Sequence, residues 1–86
     1  MTRFKIEFLS SAAKEFRDLS IDLKQRIGGA IESLQSNPLP SGVRKLSGHK
    51  RLYRIRVGDY RVVYEIDVQE KFIRVTRIRH RREVYH

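Results

Sequence analysis

Three arginines in two predicted strands are the residues of this sequence best suited to chemistry on phosphate. Arg54 and Arg56 alternate in "RLYRIRV", and Arg61 follows them across the short turn "GD". Alternate residues of a strand point to one face, so the three guanidinium groups would lie within reach of one phosphate, which each can bind through two hydrogen bonds. The same pattern is typical of a solvated strand face, and charge alone does not separate these interpretations.

A second group of polar residues closes the chain in "IRHRREVYH". Arg79 and Arg81 surround His80, and Tyr85 follows. An imidazole titrates near pH 6.5, and cations beside a phenol lower its pKa, so both rings could transfer protons. Alternatively, His80 ends the last strand and hydrogen-bonds the backbone, and the Tyr85 ring packs on the core.

Weaker candidates flank the first cluster. Lys45, Lys50 and Arg51 could follow the backbone of a nucleic acid, although each alone is more typical of a surface charge. The chain lacks the residues and motifs that thiol, metal and nucleotide chemistry require. It has no cysteine, no pair of histidines at metal-ligand spacing and no glycine-rich phosphate loop. The sequence therefore predicts a site that uses neither a metal nor a cofactor.

The basic charge is concentrated in the second half of the chain. The net charge is +9; residues 1–43 carry six basic and five acidic residues, whereas residues 44–86 carry thirteen and five. Repulsion among like charges destabilises a compact fold unless an anionic partner uses them. Nucleic acid is the partner that this distribution favours.

Length and composition predict a single domain over residues 1–86 in the cytoplasm. The chain has 86 residues, of which 40% are hydrophobic, and it contains no cysteine. This is enough to form a thin core without a disulfide framework. The first residues lack the apolar run of a secretory signal, and no stretch approaches the roughly 20 apolar residues needed to span a bilayer.

The first part of the chain predicts one strand and two helices. Aromatic and aliphatic residues alternate with charged ones over residues 4–8, as in a half-buried strand. Ser10 or Ser11 can cap a helix that ends near Leu19, and Ser20 can cap a second one. The second helix has an apolar stripe of Leu23, Ile27, Ile31 and Leu34. Its Gly28 and Gly29 are explained by close packing of the two helices.

Three β-rich runs follow the helix-breaking segment "SNPLPSG". They are "RLYRIRV", "YRVVYEI" and "FIRVTRI", and the phase of the third shifts at residues 76–78, as a bulge would cause. The predicted fold is α+β with the order β-α-α-β-β-β. An antiparallel sheet carries a helical hairpin on one face and basic residues on the other.

The segments "KLSGHKRLYRIRVGDYRVVYEI" and "IRHRREVYH" resemble the RelE/ParE superfamily of bacterial toxin–antitoxin toxins, and in particular its RelE branch of ribosome-dependent mRNA endonucleases. The resemblance covers nearly the whole chain. It implies a toxin that enters the ribosomal A site and cuts mRNA by attack of the ribose 2′-hydroxyl on the adjacent phosphate. No metal takes part in that reaction.

The resemblance also assigns roles to residues. The two basic positions after the family's "KL.G" motif fall on Arg54 and Arg56, the arginine of "YR.VY" on Arg61, and the C-terminal tyrosine on Tyr85. The remaining arginine is Arg81 by one alignment, which we prefer, and Arg79 by another.

The chain departs from the family pattern at two points. Some relatives have a lysine that carries protons where this chain has arginines, and arginine keeps its proton below about pH 12. The base is then Tyr85, His80 or a group of the ribosome. The chain ends one residue after Tyr85, so the C-terminal helix of some relatives is expected to be missing.

The implied partners are the ribosome, mRNA and an acidic, partly disordered antitoxin that covers the basic surface; no membrane or small-molecule cofactor is implied. Two alternatives remain. One is a ParE-like inhibitor of DNA gyrase, and the other is an RNA-binding protein without catalysis, which the arginine face would serve equally well.

Overall fold

The computed structural model describes residues 3–46, 48 and 50–84. Secondary structure in this part of the chain comprises β1 (Lys5–Phe8), α1 (Ser10–Arg17), α2 (Ile21–Ser33), β2 (Arg44–Lys45), β3 (Leu52–Val57), β4 (Tyr60–Asp67), β5 (Phe72–His80) and α3 (Arg81–Val84). None of the described helices is long and apolar enough to cross a bilayer.

The strands form one sheet in the order β1-β5-β4-β3-β2. The three long strands make the predicted antiparallel meander, so the α+β prediction is confirmed. β1 departs from the antiparallel prediction because it pairs with β5 in parallel. A parallel pair needs a long connection rather than a hairpin, and here that connection includes both helices and the other strands.

The core lies between the helices and one face of the sheet. The helices contribute Ala12, Ile27 and Ile31, Leu34 follows directly after α2, and the sheet contributes Ile55, Val62, Tyr64, Ile66, Ile73, Val75 and Ile78. The opposite face, which we call the outer face, carries the residues that alternate with these along β3 and β4. Arg54, Arg56 and Arg61 are among them, as the sequence predicts.

The two helices begin differently. Ser20 caps α2 as predicted, because its Oγ accepts a hydrogen bond from the Leu23 amide at 3.3 Å. The predicted serine cap of α1 is wrong: Leu9 stands at that position and makes no side-chain cap. Ser11 Oγ instead donates to the carbonyl of Thr76 at 3.1 Å. A contact with the sheet has replaced the local one.

Close packing explains one of the two helical glycines. A Cβ at Gly28 would lie 3.3 Å from Cζ of Phe16 in α1, whereas a Cβ at Gly29 would meet nothing within 4 Å. The packing explanation therefore holds for Gly28 and is wrong for Gly29.

We expect Gly29→Ala to stabilise the protein by about 1 kcal/mol, because alanine lowers the backbone entropy of the unfolded chain and favours helix. Chemical denaturation measures this directly. Gly28→Ala is the matched comparison, since it gains the same propensity but must displace the Phe16 ring. An equal gain in both variants would contradict the packing assigned to Gly28.

Tyr64 is a polar residue within the core. Its side chain is fully buried, its ring stacks on Tyr53, and its hydroxyl donates to the carbonyl of Pro38 at 2.7 Å. Burial, with a smaller contribution from Tyr53, raises the pKa of Tyr64 well above its usual value. Tyr64 therefore stays neutral and fastens the loop after α2 to the sheet.

This raised pKa predicts a loss of stability in alkali. Below pH 10 Tyr64 is protonated in both the folded and the unfolded state, and its contribution is complete. Above pH 10 the unfolded chain releases the proton while the folded protein retains it, so the free energy of unfolding falls as the pH rises toward the folded pKa. Denaturation between pH 9 and 11 should show this fall, and Tyr64→Phe should make it shallower. An identical slope in the variant would refute the assignment.

The last strand has the predicted bulge and a different ending. Tyr64 pairs with Val75 and Val63 with Arg77, so Thr76 is the extra residue. After His80 the backbone makes one helical turn, Arg81–Val84, where no C-terminal helix was expected. The Arg81 amide donates to the carbonyl of Asp59 at 2.7 Å, which fastens this turn to the β3–β4 hairpin.

Candidate active site

Three arginines stand side by side on three neighbouring strands. Arg56 of β3 pairs in register with Arg61 of β4, and Arg61 pairs with Arg79 of β5. We call these three residues the arginine row. Directly opposed residues on antiparallel strands have Cβ atoms about 4.5–5.5 Å apart, so the row places three guanidinium-bearing side chains over one short stretch of the outer face.

A cavity of about 320 Å³ opens at one end of this row. Arg56 and Arg61 line it together with Arg81, from the helical turn after β5. Three of the four residues predicted to be catalytic therefore meet at one cavity. The fourth, Tyr85, lies outside the described residues.

The arginines at this cavity differ in exposure. Arg61 is 4% exposed, in the middle of the row, whereas Arg56 is exposed and the Arg81 side chain is 61% exposed. Like charges that face each other across strands lower stability. The row thus places Arg56 and Arg79 on either side of the buried Arg61, and an anion bound at the cavity would reduce the repulsion among these cations.

Two further residues at the cavity went unrecognised in the sequence. Arg82, which the sequence analysis does not single out, lines it, and so does Asp59 of the β3–β4 turn. Asp59 Oδ1 lies 4.0 Å from Nε of Arg81. The "GD" turn is a signal for a hairpin, and only the return of the chain after β5 brings Arg81 beside it.

The other end of the outer face carries balanced charges. Arg51 lies 3.3 Å from Asp67 and 3.8 Å from Glu65, and Arg74 bridges Glu65 at 3.1 Å and Glu7 at 3.4 Å. Arg51, predicted to bind RNA, is thus placed in an ion-pair network and away from the arginine row. By contrast, Arg56 forms no ion pair with a carboxylate of the described residues.

The remaining predicted RNA-binding residues lie beside β3. Arg54 pairs in register with Arg44, and both line a second groove of about 520 Å³ that also includes Arg56. Arg44 is a further residue that the sequence did not single out. Lys45, in the edge strand β2, and Lys50, in the loop before β3, have exposed side chains.

His80 fits the structural alternative given for it. It is the last residue of β5, and its Nδ1 accepts a hydrogen bond from the Arg82 amide at 3.2 Å. Its ring meets Tyr60 edge to face, with centroids 5.3 Å apart. Because Nδ1 accepts this hydrogen bond, any exchange of a proton between the imidazole and a substrate would have to use Nε2.

Comparison with known proteins identifies the family. The family model described as "ParE toxin of type II toxin-antitoxin system, parDE" matches residues 6–85. This chain belongs to the RelE/ParE toxin superfamily. Within it the chain falls in the RelE branch. It is 31% identical to toxin RelE3 of Methanocaldococcus jannaschii, over 94% of each chain.

Solved structures of RelE proteins support the same assignment. The RelE–RelB complex from Pyrococcus horikoshii OT3 matches with a TM-score of 0.81 and 29% identity, over 94% of this chain and 97% of that one. The RelB–RelE complex from Methanococcus jannaschii gives 0.75 and 26%, over 92% and 94%. Both of these solved structures are antitoxin–toxin complexes.

Proposed function

We propose that this RelE-branch toxin is an endoribonuclease that cuts mRNA in the ribosomal A site without a metal and thereby inhibits translation. The observation that carries the proposal is the arginine row, with Arg81 at the same cavity. Cleavage by the 2′-hydroxyl builds negative charge on a pentavalent phosphorane, and preorganised cations aimed at that charge lower the barrier.

Stabilisation of the phosphate charge and transfer of protons are assigned to different residues. Arg61, Arg56 and Arg81 bind the scissile phosphate and stabilise the phosphorane. They cannot remove the 2′-hydroxyl proton, since arginine stays charged below about pH 12. Proton transfer falls to Tyr85, to Nε2 of His80 or to a ribosomal group.

The RNA strand on either side of the cut is held by four other cations near the arginine row and β3. Arg79 completes the row, and Arg54, Lys45 and Lys50 extend the basic surface along β3 and its neighbouring loop. Such phosphate contacts predict binding that weakens steeply as the salt concentration rises.

The proposed regulator is an acidic antitoxin that covers the arginine row. Its carboxylates would occupy the positions of RNA phosphates and relieve the repulsion within the row. The complexes of related toxins with RelB support this partnership.

The test uses the purified toxin with ribosomes programmed by a defined mRNA. We expect new RNA ends at positions fixed by the A-site codon, formed equally well by toxin that has first been treated with a metal chelator and dialysed, and suppressed by the antitoxin. Binding to ribosomes without new RNA ends would favour the non-catalytic alternative. Because the matching family model carries the ParE name, DNA gyrase supercoiling is assayed in parallel. Gyrase inhibition with intact mRNA would replace the proposal.

A further inference from the structure

Glu15 of α1 joins the helical layer to the strand that carries Arg79. Its Oε1 accepts a hydrogen bond from the Ile78 amide at 2.7 Å. Its Oε2 lies 3.2 Å from Nε and 3.0 Å from Nη2 of Arg77, and 3.8 Å from Nε of Arg79. The Glu15 side chain is 23% exposed, so one carboxylate in a partly desolvated position contacts two arginines and the backbone between them.

The reason for this arrangement is the unequal length of two strands. β1 pairs with β5 only as far as Val75, while β5 continues to His80. Groups of β5 beyond that pairing would lack a strand partner, and α1 supplies substitutes. The Thr76 carbonyl accepts a hydrogen bond from Ser11 Oγ, and the Ile78 amide donates one to the Glu15 carboxylate. Glu15 therefore acts where a strand would otherwise continue.

We propose that Glu15 is a positioning residue for Arg79. The inference rests on the proposed ribonuclease function, because Arg79 is one end of the arginine row. The carboxylate lies 3.8 Å from Nε of Arg79, which is too far for a hydrogen bond, so it draws the guanidinium toward α1 by the attraction between opposite charges. The negative charge also offsets the repulsion that Arg61 exerts on Arg79.

Glu15→Gln separates this role from support of the strand. The amide oxygen of glutamine can still accept the hydrogen bond from Ile78, but the charge that holds Arg79 is gone. We expect the maximal rate of mRNA cleavage on programmed ribosomes to fall about tenfold, because a displaced Arg79 no longer aligns the RNA strand beside the phosphate that is cut, and misalignment of a substrate costs this much or more. The ribosome concentration at half-maximal rate should change less than about twofold, since the other cations still bind the RNA.

Asp18→Asn is the matched control. Asp18 lies one helical turn further along and forms an exposed ion pair with Lys14 at 3.7 Å, so its change removes the same charge without touching β5. Neither kinetic quantity should change in this variant. A purely structural role of Glu15 would appear as a lower melting temperature with an unchanged maximal rate well below that temperature, and that result would overturn the inference.

A double-mutant cycle identifies the residue through which Glu15 acts. In an Arg79→Ala background, Glu15→Gln should cause no further loss of rate; in an Arg77→Ala background the tenfold loss should persist. Persistence of the loss without Arg79 would overturn the proposal. An inactive wild-type toxin would reject the ribonuclease function itself, whereas an active wild type with an equally active Glu15→Gln variant would reject only the role of Glu15.

Discussion

The double variant Arg61→Ala/Arg81→Ala is expected to cut mRNA on the ribosome at least about 10³-fold more slowly than the wild type, and its expression should no longer arrest growth. Removing one preorganised donor from a developing oxyanion typically costs about 10²–10³-fold. Both arginines line the same cavity, so their contributions need not multiply fully. The measurement is single-turnover cleavage of a defined mRNA, with primer extension to locate the new ends.

Two controls keep this prediction open to refutation. Arg61 is buried, so its replacement could disturb the fold, whereas Arg81 is exposed and its single change to alanine should leave the melting temperature within a few degrees. The double variant Lys5→Ala/Arg17→Ala removes the same charge from exposed positions of β1 and α1 and should cleave normally. Growth arrest with codon-positioned cleavage in the folded Arg61/Arg81 variant would show that the active face lies elsewhere.

The second large effect is expected from Arg56→Ala, with a loss of about 10²-fold in the cleavage rate. Arg56 lines both the smaller cavity and the groove beside β3, and it forms no ion pair with a described carboxylate. Its guanidinium therefore remains available for a phosphate. The same assay on programmed ribosomes measures this loss.

Arg51→Ala is the matched control for Arg56→Ala. Arg51 has the same charge and lies just before the same strand, but Asp67 and Glu65 already bind it. We expect cleavage within about twofold of the wild type and a loss of about 1–2 kcal/mol in the free energy of unfolding, because the nearly buried Asp67 loses its cation. An equal loss of cleavage in both variants would mean that RNA runs along the whole outer face.

The fold could be predicted because its signals are local. Residues of β3 and β4 alternate with period two, the "GD" turn joins them, and the apolar stripe of α2 recurs at helical spacing. Each pattern is read within a few neighbouring residues. Failures occurred where a distant contact replaced a local one, as when Ser11 donates to Thr76 instead of capping α1.

The candidate site was predicted in part for the same reason. Arg54, Arg56 and Arg61 lie within eight residues and two adjacent strands, so their common face follows from alternation and one tight turn. Arg79 enters the row only through the register of β4 with β5, which the bulge at Thr76 sets. Without Thr76 as an extra residue, the alternation established before it would not bring Arg79 opposite Arg61 on the same face.

The residue types, their charge and the strands that carry them follow from the sequence alone, because they depend on composition and short-range periodicity. Which arginines are balanced by carboxylates depends instead on contacts between strands that are distant in the sequence. Arg51 and Arg56 are alike in sequence, but Glu65 and Asp67 of β4 come beside the first and not the second. The register across strands and the return of the chain after β5 determine those neighbours. The energy of an ion pair in water is small beyond a few ångströms, so a small difference in position separates an arginine held by carboxylates from one that can bind a phosphate.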